Sequence, residues 1–595
     1  MRLTALALDY DGTIAHNDVV GADVRSAIAG IRARGIPVLL VTGRILDELR
    51  RVAGDLHFVD GVVAENGAIV HFPDSDHTTE LAPRIPESFI AELHRRGIPF
   101  RAGTCLVDAA ASDAVRLLGT IQGMELPLAL AFNRGRVMTV PQAVSKATGL
   151  HTALDMLRLS AHNTVAIGDA ENDHELLRLA EVGVAVEWGS ASLRATSDDV
   201  VRGQGPSAVA EYLQELERTV RLPVPARARR QLLLGHTEDG REFSLAVRGR
   251  NILITGDARS GKSWMAGLLC EQLILHGYCV CVIDPEGDYR SLEGLPGVSV
   301  LGGDDPPPTP RELLRALRYP DRSVVIDLSH ALQDEKIEYV RAVLPALNTM
   351  RRRSGLPHRI LLDEAHYFLR ETDVPYLLDL ESNGYIIVTF CASRLPSALL
   401  AATEVMIVTC ESIPAEIDAL CRCCSAHSRV DRAAWSALPH LKETQAMALP
   451  ITAEAGGVLK TFTMARRLTP HVRHREKYVD VPVPDQHAFV FAGPDQRVRA
   501  RTLREFVAQL ERSDPASLIG YVVRGDFSRW IGEVFGDHPL AQELRALEAR
   551  DRHLSFPETI PEMANAIRSR YDLLVEDEAA PGATAPAHPP SPAMA

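Results

Sequence analysis

Leu3-Thr4-Ala5-Leu6-Ala7-Leu8-Asp9-Tyr10-Asp11-Gly12-Thr13 opens the chain with an apolar run that ends on two carboxylates two residues apart. A run this continuously apolar suits a strand buried on both faces of a parallel sheet. Ligands of such sheets gather at the carboxyl ends of the strands. There one carboxylate can attack an electrophile and the other can exchange a proton with the leaving group. Gly12 permits the sharp turn that follows. Standing alone, D-x-D-G would be ordinary turn chemistry.

Further apolar runs follow at Ile36–Thr42, Gly61–Ala64, Thr164–Gly168 and Gly183–Val186, separated by helical stretches. This alternation predicts an α/β domain over residues 1–220. A stretch from about Thr78 to Pro141 breaks the rhythm and reads as an inserted α+β cap. The second run ends in Thr42-Gly43-Arg44, which offers a hydroxyl and backbone N–H groups to an anion. Lys146 stands at a predicted helix start. The run at 164–168 leads into Asp169-Ala170-Glu171-Asn172-Asp173; a helix beginning there would place Asp169 and Asp173 on one face. Converging carboxylates suit Mg²⁺, a hard cation bound by oxygen.

These four motifs, in this order, resemble the haloacid dehalogenase (HAD) superfamily, and most closely its Cof-like, type IIB phosphatases. Glu65-Asn66-Gly67-Ala68 and the position of the cap also resemble that subgroup. The resemblance covers about residues 1–215. It implies Asp9 as a nucleophile forming an aspartyl-phosphate, and Asp11 as general acid/base, lending its backbone carbonyl to Mg²⁺. It implies Thr42 and Lys146 as phosphoryl-group holders and Asp169 as a Mg²⁺ ligand supported by Asp173 and Asn172. Glu187-Trp188-Gly189-Ser190 departs from the small Gly-Asn-Ala turn usual in the family. The short cap resembles those of phosphoglycolate or sugar-phosphate phosphatases, and Arg101 and Arg136 are candidate contacts to an anionic substrate.

A linker of two prolines and four arginines, spanning residues 221–231, precedes a second α/β block over residues 232–491. Its predicted strands are Asn251–Thr255, Tyr278–Asp284, Ser323–Leu328, Arg359–Asp363, Tyr385–Phe390 and Glu404–Thr409. The first runs into Gly256-Asp257-Ala258-Arg259-Ser260-Gly261-Lys262-Ser263 and then a helical stretch. This is the strand–loop–helix setting of a phosphate-binding loop. Its backbone N–H groups cradle phosphates, Lys262 neutralises them and Ser263 reaches Mg²⁺. Asp363 is the predicted metal-side acid and Glu364 the residue that polarises the attacking water. Asp327 is the rival acid, without a following Glu.

This block resembles the HerA/FtsK-type ATPases, of the RecA-like, additional-strand class. The lead-in at residues 232–256, the acidic segment Asp284-Pro285-Glu286-Gly287-Asp288-Tyr289 and the segment Ala392-Ser393-Arg394 carry the likeness. Arg394 stands where the family has a Gln sensor. ATP, Mg²⁺ and a homo-oligomeric ring, such as a hexamer, are implied partners.

The expected fold class is therefore a HAD Rossmann-like α/β domain with an inserted cap, then a P-loop NTPase domain, then a small helical domain over residues 492–575. Helices are predicted at Arg501–Arg512, Phe527–Phe535, Pro539–Arg550 and Ile560–Tyr571, with Trp530 in their core. The Ala- and Pro-rich end, residues 576–595, reads as a disordered tail. A net charge of −14 makes a poor general polyanion binder. Nucleic acid is thus a candidate partner but not the favoured one, with Arg351-Arg352-Arg353 and the linker arginines as possible contacts. Nine cysteines in 595 residues are no disulfide framework. Cys279, Cys281 and Cys391 read as buried thiols. Cys421, Cys423, Cys424 and His427 lack zinc-module spacing. With no apolar run long enough to span a bilayer, the expectation is a cytoplasmic protein without a membrane partner. The leading function is phosphatase action on a small phosphorylated substrate, coupled to an ATP-dependent motor or switch. An ATP-driven nucleic-acid translocase with an accessory phosphatase, or a nucleotide-switched scaffold, is the alternative.

Overall fold

The computed structural model describes residues 1–223, 229–247, 250–257, 260–372, 374–425, 435–442, 444–450, 460–470, 483, 487–492, 497–535, 538–550 and 556–571. Ala258, Arg259, His427, the side chains of Cys423 and Cys424, and the predicted tail at 576–595 lie outside the described residues. The chain divides into two compact units, Met1–His471 and Val472–Ala595.

The first unit holds two large sheets. The N-terminal one has the order Asp199–Val201, Val182–Val186, Thr164–Gly168, Ala5–Asp9, Val38–Val41, Gly61–Ala64, Ile69–Phe72, His77–Glu80. Its first six strands are parallel and its last two antiparallel. Ala5–Asp9 is buried along its whole length, because two apolar clusters cover its two faces: Leu6 and Leu8 on one side, Ala5 and Ala7 on the other. The cap begins later than the sequence suggests. His77–Glu80 pairs with Ile69–Phe72 in the main sheet, so Thr78 belongs there. The cap proper carries the helices Glu87–Arg95 and Ala114–Gly123 on a four-stranded antiparallel sheet.

The second sheet runs Glu242–Ala246, Gln231–His236, Lys460–Met464, Gln445–Pro450, Val405–Val408, Ile252–Thr255, Tyr385–Thr389, Arg359–Leu362, Val280–Asp284, Ser323–Asp327, Val298–Gly302. From Val405–Val408 onward in this order the strands run parallel to one another, while the four before it pair antiparallel, the last of them with Val405–Val408. The lead-in to the glycine-rich loop is a hairpin at the edge of this sheet. Cys279 and Cys281 are buried, whereas Cys391 and Cys421 are half-buried. The Cys391 thiol instead reaches the Glu416 carboxylate at 3.3 Å.

The second unit packs the helices Leu503–Arg512, Pro515–Arg524, Asp526–Val534, His538–Arg550 and Phe556–Tyr571 beside the hairpin Phe489–Ala492/Arg497–Ala500. Read from sequence, the second block extends to Phe491. In the structure Phe489 and Phe491 insert into the helical core beside Phe506, Phe527 and Trp530. Alternation along one strand shows which faces are apolar, not which core they enter. The helix Pro515–Arg524 was not among those predicted. Among the described residues, no helix is long and apolar enough to cross a membrane.

Candidate active sites

Asp9 closes its strand, and its register with Val41 and that of Leu8 with Ile167 put Thr42 and Asp169 at the same sheet edge. Lys146 begins the helix Lys146–Leu157, whose start is fixed by a reciprocal pair between Ser145 and Thr148. Gly67 backs onto that helix start: it takes φ +106, and a β-carbon there would lie 1.9 Å from the Ser145 carbonyl oxygen. Lys146 is buried, and its ammonium donates to Asp9 Oδ1 at 2.6 Å and to Asp173 Oδ1 at 2.7 Å. Burial alone would weaken the ammonium; the Asp173 and Asp9 charges outweigh it and hold Lys146 protonated. Burial, then the Asp173 charge, push the Asp9 carboxyl up to about 7, against the pull of Lys146.

Asp173 reaches this cluster by a route other than a shared helical face. Glu171–Asp173 forms a 3-10 turn and the helix starts only at His174. Asp173 Oδ2 accepts from the backbone N–H groups of Asp169 and Ala170 at 3.0 Å each, and Oδ1 holds Lys146. Both of its oxygens are thus engaged by protein. Asp169 Oδ1 is buried without a hydrogen-bond partner, and Oδ2 is ion-paired with Arg134 from the cap. Ligand atoms of Asp9, Asp169 and Asp173 lie within 4.8 Å of one another. An orphaned buried oxygen in an all-carboxylate set fits a hard divalent cation. The Asp11 side chain stands outside this set. It is gripped by Arg44, Nε to Oδ2 at 2.7 Å and Nη2 to Oδ1 at 2.6 Å. Thr42 is buried and its Oγ1 accepts from Arg44 N at 3.1 Å.

Replacing Lys146 by Met leaves Asp9 and Asp173 buried without their cation. Breaking a buried pair in this way costs about 3–5 kcal/mol. Thermal or urea unfolding of Lys146→Met, with Mg²⁺ withheld, is expected to show a loss of that order.

The second site lies at the carboxyl edge of the second sheet. Gly261 caps the helix Lys262–Leu275 in the left-handed region, and Gly256 takes φ +144, with Thr409 and Cys410 too close for any side chain. Lys262 folds over the loop and donates to the Asp257 carbonyl at 2.7 Å. Ser263 Oγ donates to Asp288 Oδ2 at 2.8 Å. Asp284 accepts from the N–H groups of Glu286, Gly287, Asp288 and Tyr289, shaping the acidic segment that holds Ser263. Asp363 follows the strand Arg359–Leu362, which only Tyr385–Thr389 separates from the loop strand. The strand ending in Asp327 lies two places further out, and that carboxylate is tied to Arg290 and to Ser329 N. Glu364 takes φ +46 and lies 3.7 Å from His366, which meets Thr389 Oγ1 at 3.0 Å. Arg394 is exposed in the short turn Ala392–Arg394, and at the strand end before it Thr389 Oγ1 accepts from Cys391 N at 3.0 Å.

Comparison with known proteins decides the first block. The family described as haloacid dehalogenase-like hydrolase matches residues 6–110 and 128–213. The N-terminal block is a haloacid dehalogenase-like hydrolase domain. Helicase HerA, central domain, matches residues 246–339, so the chain is a fusion. Phosphoglycolate phosphatase of Methanothermobacter thermautotrophicus is 28% identical over 224 residues, covering 36% of this chain and 98% of that protein. That of Methanopyrus kandleri is 29% identical over 234 residues, covering 36% and 97%. A haloacid dehalogenase-like hydrolase from B. subtilis of known structure is 16% identical, with a TM-score of 0.32, covering 36% of this chain and 100% of that one.

Three side chains of the hydrolase domain gain their meaning only in space. Glu65, at φ +50, accepts from Thr104 N at 3.1 Å and Cys105 N at 2.7 Å and so ties the core sheet to a cap loop. Trp188, in the atypical turn, donates to the Gly12 carbonyl at 2.7 Å and lines a cleft of about 840 Å³ with Gly12, Arg134, Asp169 and Gln204. Arg134 is the cap arginine that enters the site. Arg101 and Arg136 are both held on Asp108 instead. The arginines named as nucleic-acid contacts are largely engaged as well. Arg351 is buried against Tyr385, and Arg352, Arg221, Arg229 and Arg230 pair with Asp379, Glu381, Asp198 and Glu181. Arg227 lies outside the described residues.

Proposed function

We propose that the N-terminal domain is a Mg²⁺-dependent phosphatase that cleaves a small organic phosphate ester through Asp9. The observation that carries this is the buried Asp9–Lys146–Asp173 cluster with the orphaned Asp169 oxygen beside it. Asp9 attacks phosphorus and the ester P–O bond breaks; Asp11 supplies the proton to the leaving alkoxide. Asp11 then takes a proton from water, which attacks the aspartyl-phosphate, releases phosphate and restores Asp9. To do so Asp11 must exchange its Arg44 partner. Lys146 and Thr42 position the transferring group. Asp9, Asp169 and the Asp11 carbonyl are the residues that would hold Mg²⁺, with Asp173 and Asn172 orienting them. When bound, the cation offsets phosphoryl charge. The similarity to phosphoglycolate phosphatases supports a small, anionic substrate.

We assign residues 232–471 to a P-loop domain of the RecA-like, additional-strand class that binds and hydrolyses ATP at residues 256–263, with Asp363 and Glu364 on the metal and water side. The strand between the loop strand and the Asp363 strand supports that class. Assembly into a ring through this domain, and a location in the cytoplasm, belong to the same reading.

Phosphate release from 2-phosphoglycolate, sugar phosphates and nucleotides, measured with and without ATP, tests the first proposal. Turnover of at least one ester that requires Mg²⁺ is expected; none across the panel overturns it. The match to the HerA helicase central domain favours a second reading, DNA translocation. It requires ATP turnover that duplex DNA stimulates and salt suppresses, and absence of stimulation at low salt removes it.

A further inference from the structure

Arg134 sits in the two-residue turn Arg134-Gly135 between the antiparallel strands Leu128–Asn133 and Arg136–Pro141. It takes φ +52, in the left-handed region that such turns require. The turn is held in place: Arg134 N donates to Glu171 Oε2 at 3.1 Å, and Ala111 N donates to the Gly135 carbonyl at 2.9 Å. From this fixed base the guanidinium reaches Asp169. It also lies close over Gly12, where a β-carbon would come within 2.9 Å of Nη2.

A cation held by Asp169 Oδ1 and the Arg134 guanidinium on Oδ2 repel one another across one carboxylate. Cation binding at Asp169, as proposed above, therefore weakens the hold on Arg134, and the backbone tether keeps the guanidinium at the cleft it lines. Arg101 and Arg136 do not compete for a ligand there, since Asp108 holds both and Glu48 also pairs with Arg101. A guanidinium fork matches a carboxylate in shape and charge. Arg134 meets Asp169, whose ligand atom lies within 4.8 Å of that of Asp9, so a carboxylate bound by the guanidinium at this end of the cleft is joined to the phosphorus by a short spacer.

We propose that Arg134 determines specificity by binding a carboxylate carried a few bonds from the phosphate ester, and that its contact with Asp169 competes with a cation held there. This rests on the phosphatase reading of Asp9. Arg134 is more than half exposed, so its replacement spares the core. Calorimetric titration with Mg²⁺ alone is expected to show at least about fivefold tighter binding to Arg134→Ala than to wild type, because a competing cation is gone. Equal affinity overturns that competition. Binding of 2-phosphoglycolate and of phenyl phosphate is then measured on the Mg²⁺-loaded full chain carrying Asp9→Asn, with Arg134 intact, Arg134→Ala or Arg134→Lys. The preference for 2-phosphoglycolate is expected to fall at least about 30-fold in Arg134→Ala and to be partly restored by Arg134→Lys. An unchanged preference overturns the assignment. These are binding measurements, so they decide the role of Arg134 even if the wild-type chain releases no phosphate, a result that would count against the phosphatase reading itself.

Discussion

Asp9→Asn is expected to abolish phosphate-ester hydrolysis, lowering kcat by at least about 10⁴-fold, because an amide cannot serve as the nucleophile in a reaction whose uncatalysed barrier is among the highest in biology. The substitution keeps the volume of the side chain and an oxygen for the Lys146 ammonium, now at 2.6 Å from Asp9. Loss of turnover with an unchanged unfolding midpoint would therefore report chemistry and not collapse of the site. Lys262→Ala lies at the other site, at the start of the helix Lys262–Leu275, and should change the same rate by less than about threefold, as expected of sites without shared partners. Release of phosphate from 2-phosphoglycolate by the three chains is the measurement. An equal loss in both variants would mean that the two sites work as one.

Glu364→Gln is expected to lower ATP turnover by about 10²–10⁴-fold while leaving ATP bound, as loss of a positioned general base does. Lys262→Ala should lose binding itself, since Lys262 supplies the charge that meets the phosphates. One of its contacts, the hydrogen bond to the Asp257 carbonyl, is neutral. Nucleotide binding and steady-state ATP hydrolysis separate the two variants. Sizing Glu364→Gln with ATP reads out any ring, and an unchanged size removes the ring from the proposal. Retained turnover in Glu364→Gln would move the water-polarising role elsewhere, with His366, 3.7 Å from Glu364, the first candidate to test.

Much of this was legible in the chain itself. Apolar runs leading to Asp9, Thr42 and Asp169 in one sheet, and to Thr255 and Asp363 in the other, declare buried parallel strands and place these residues at the carboxyl edge of their sheet. The glycines at 67, 256 and 261 stand where a β-carbon would collide with backbone or force a left-handed residue. What failed were readings that needed a partner from far along the chain. Asp169 and Asp173 looked like one helical face, but Asp173 is engaged by backbone N–H groups and by Lys146. The Arg351-Arg352-Arg353 run offered possible phosphate contacts, but Arg351 packs inside against Tyr385. Phe489 and Phe491 continued a strand rhythm and yet joined the helical core.

Local order along the chain thus determined which chemistry this protein carries, since residue period and strand ends are properties of neighbouring residues. Tertiary structure alone decided which charges meet: Lys146 with Asp9, Arg134 with Asp169, Arg44 with Asp11, Asp327 with Arg290. Ion pairing depends on a few ångströms between segments that the chain separates by tens of residues, and no short-range pattern records that distance.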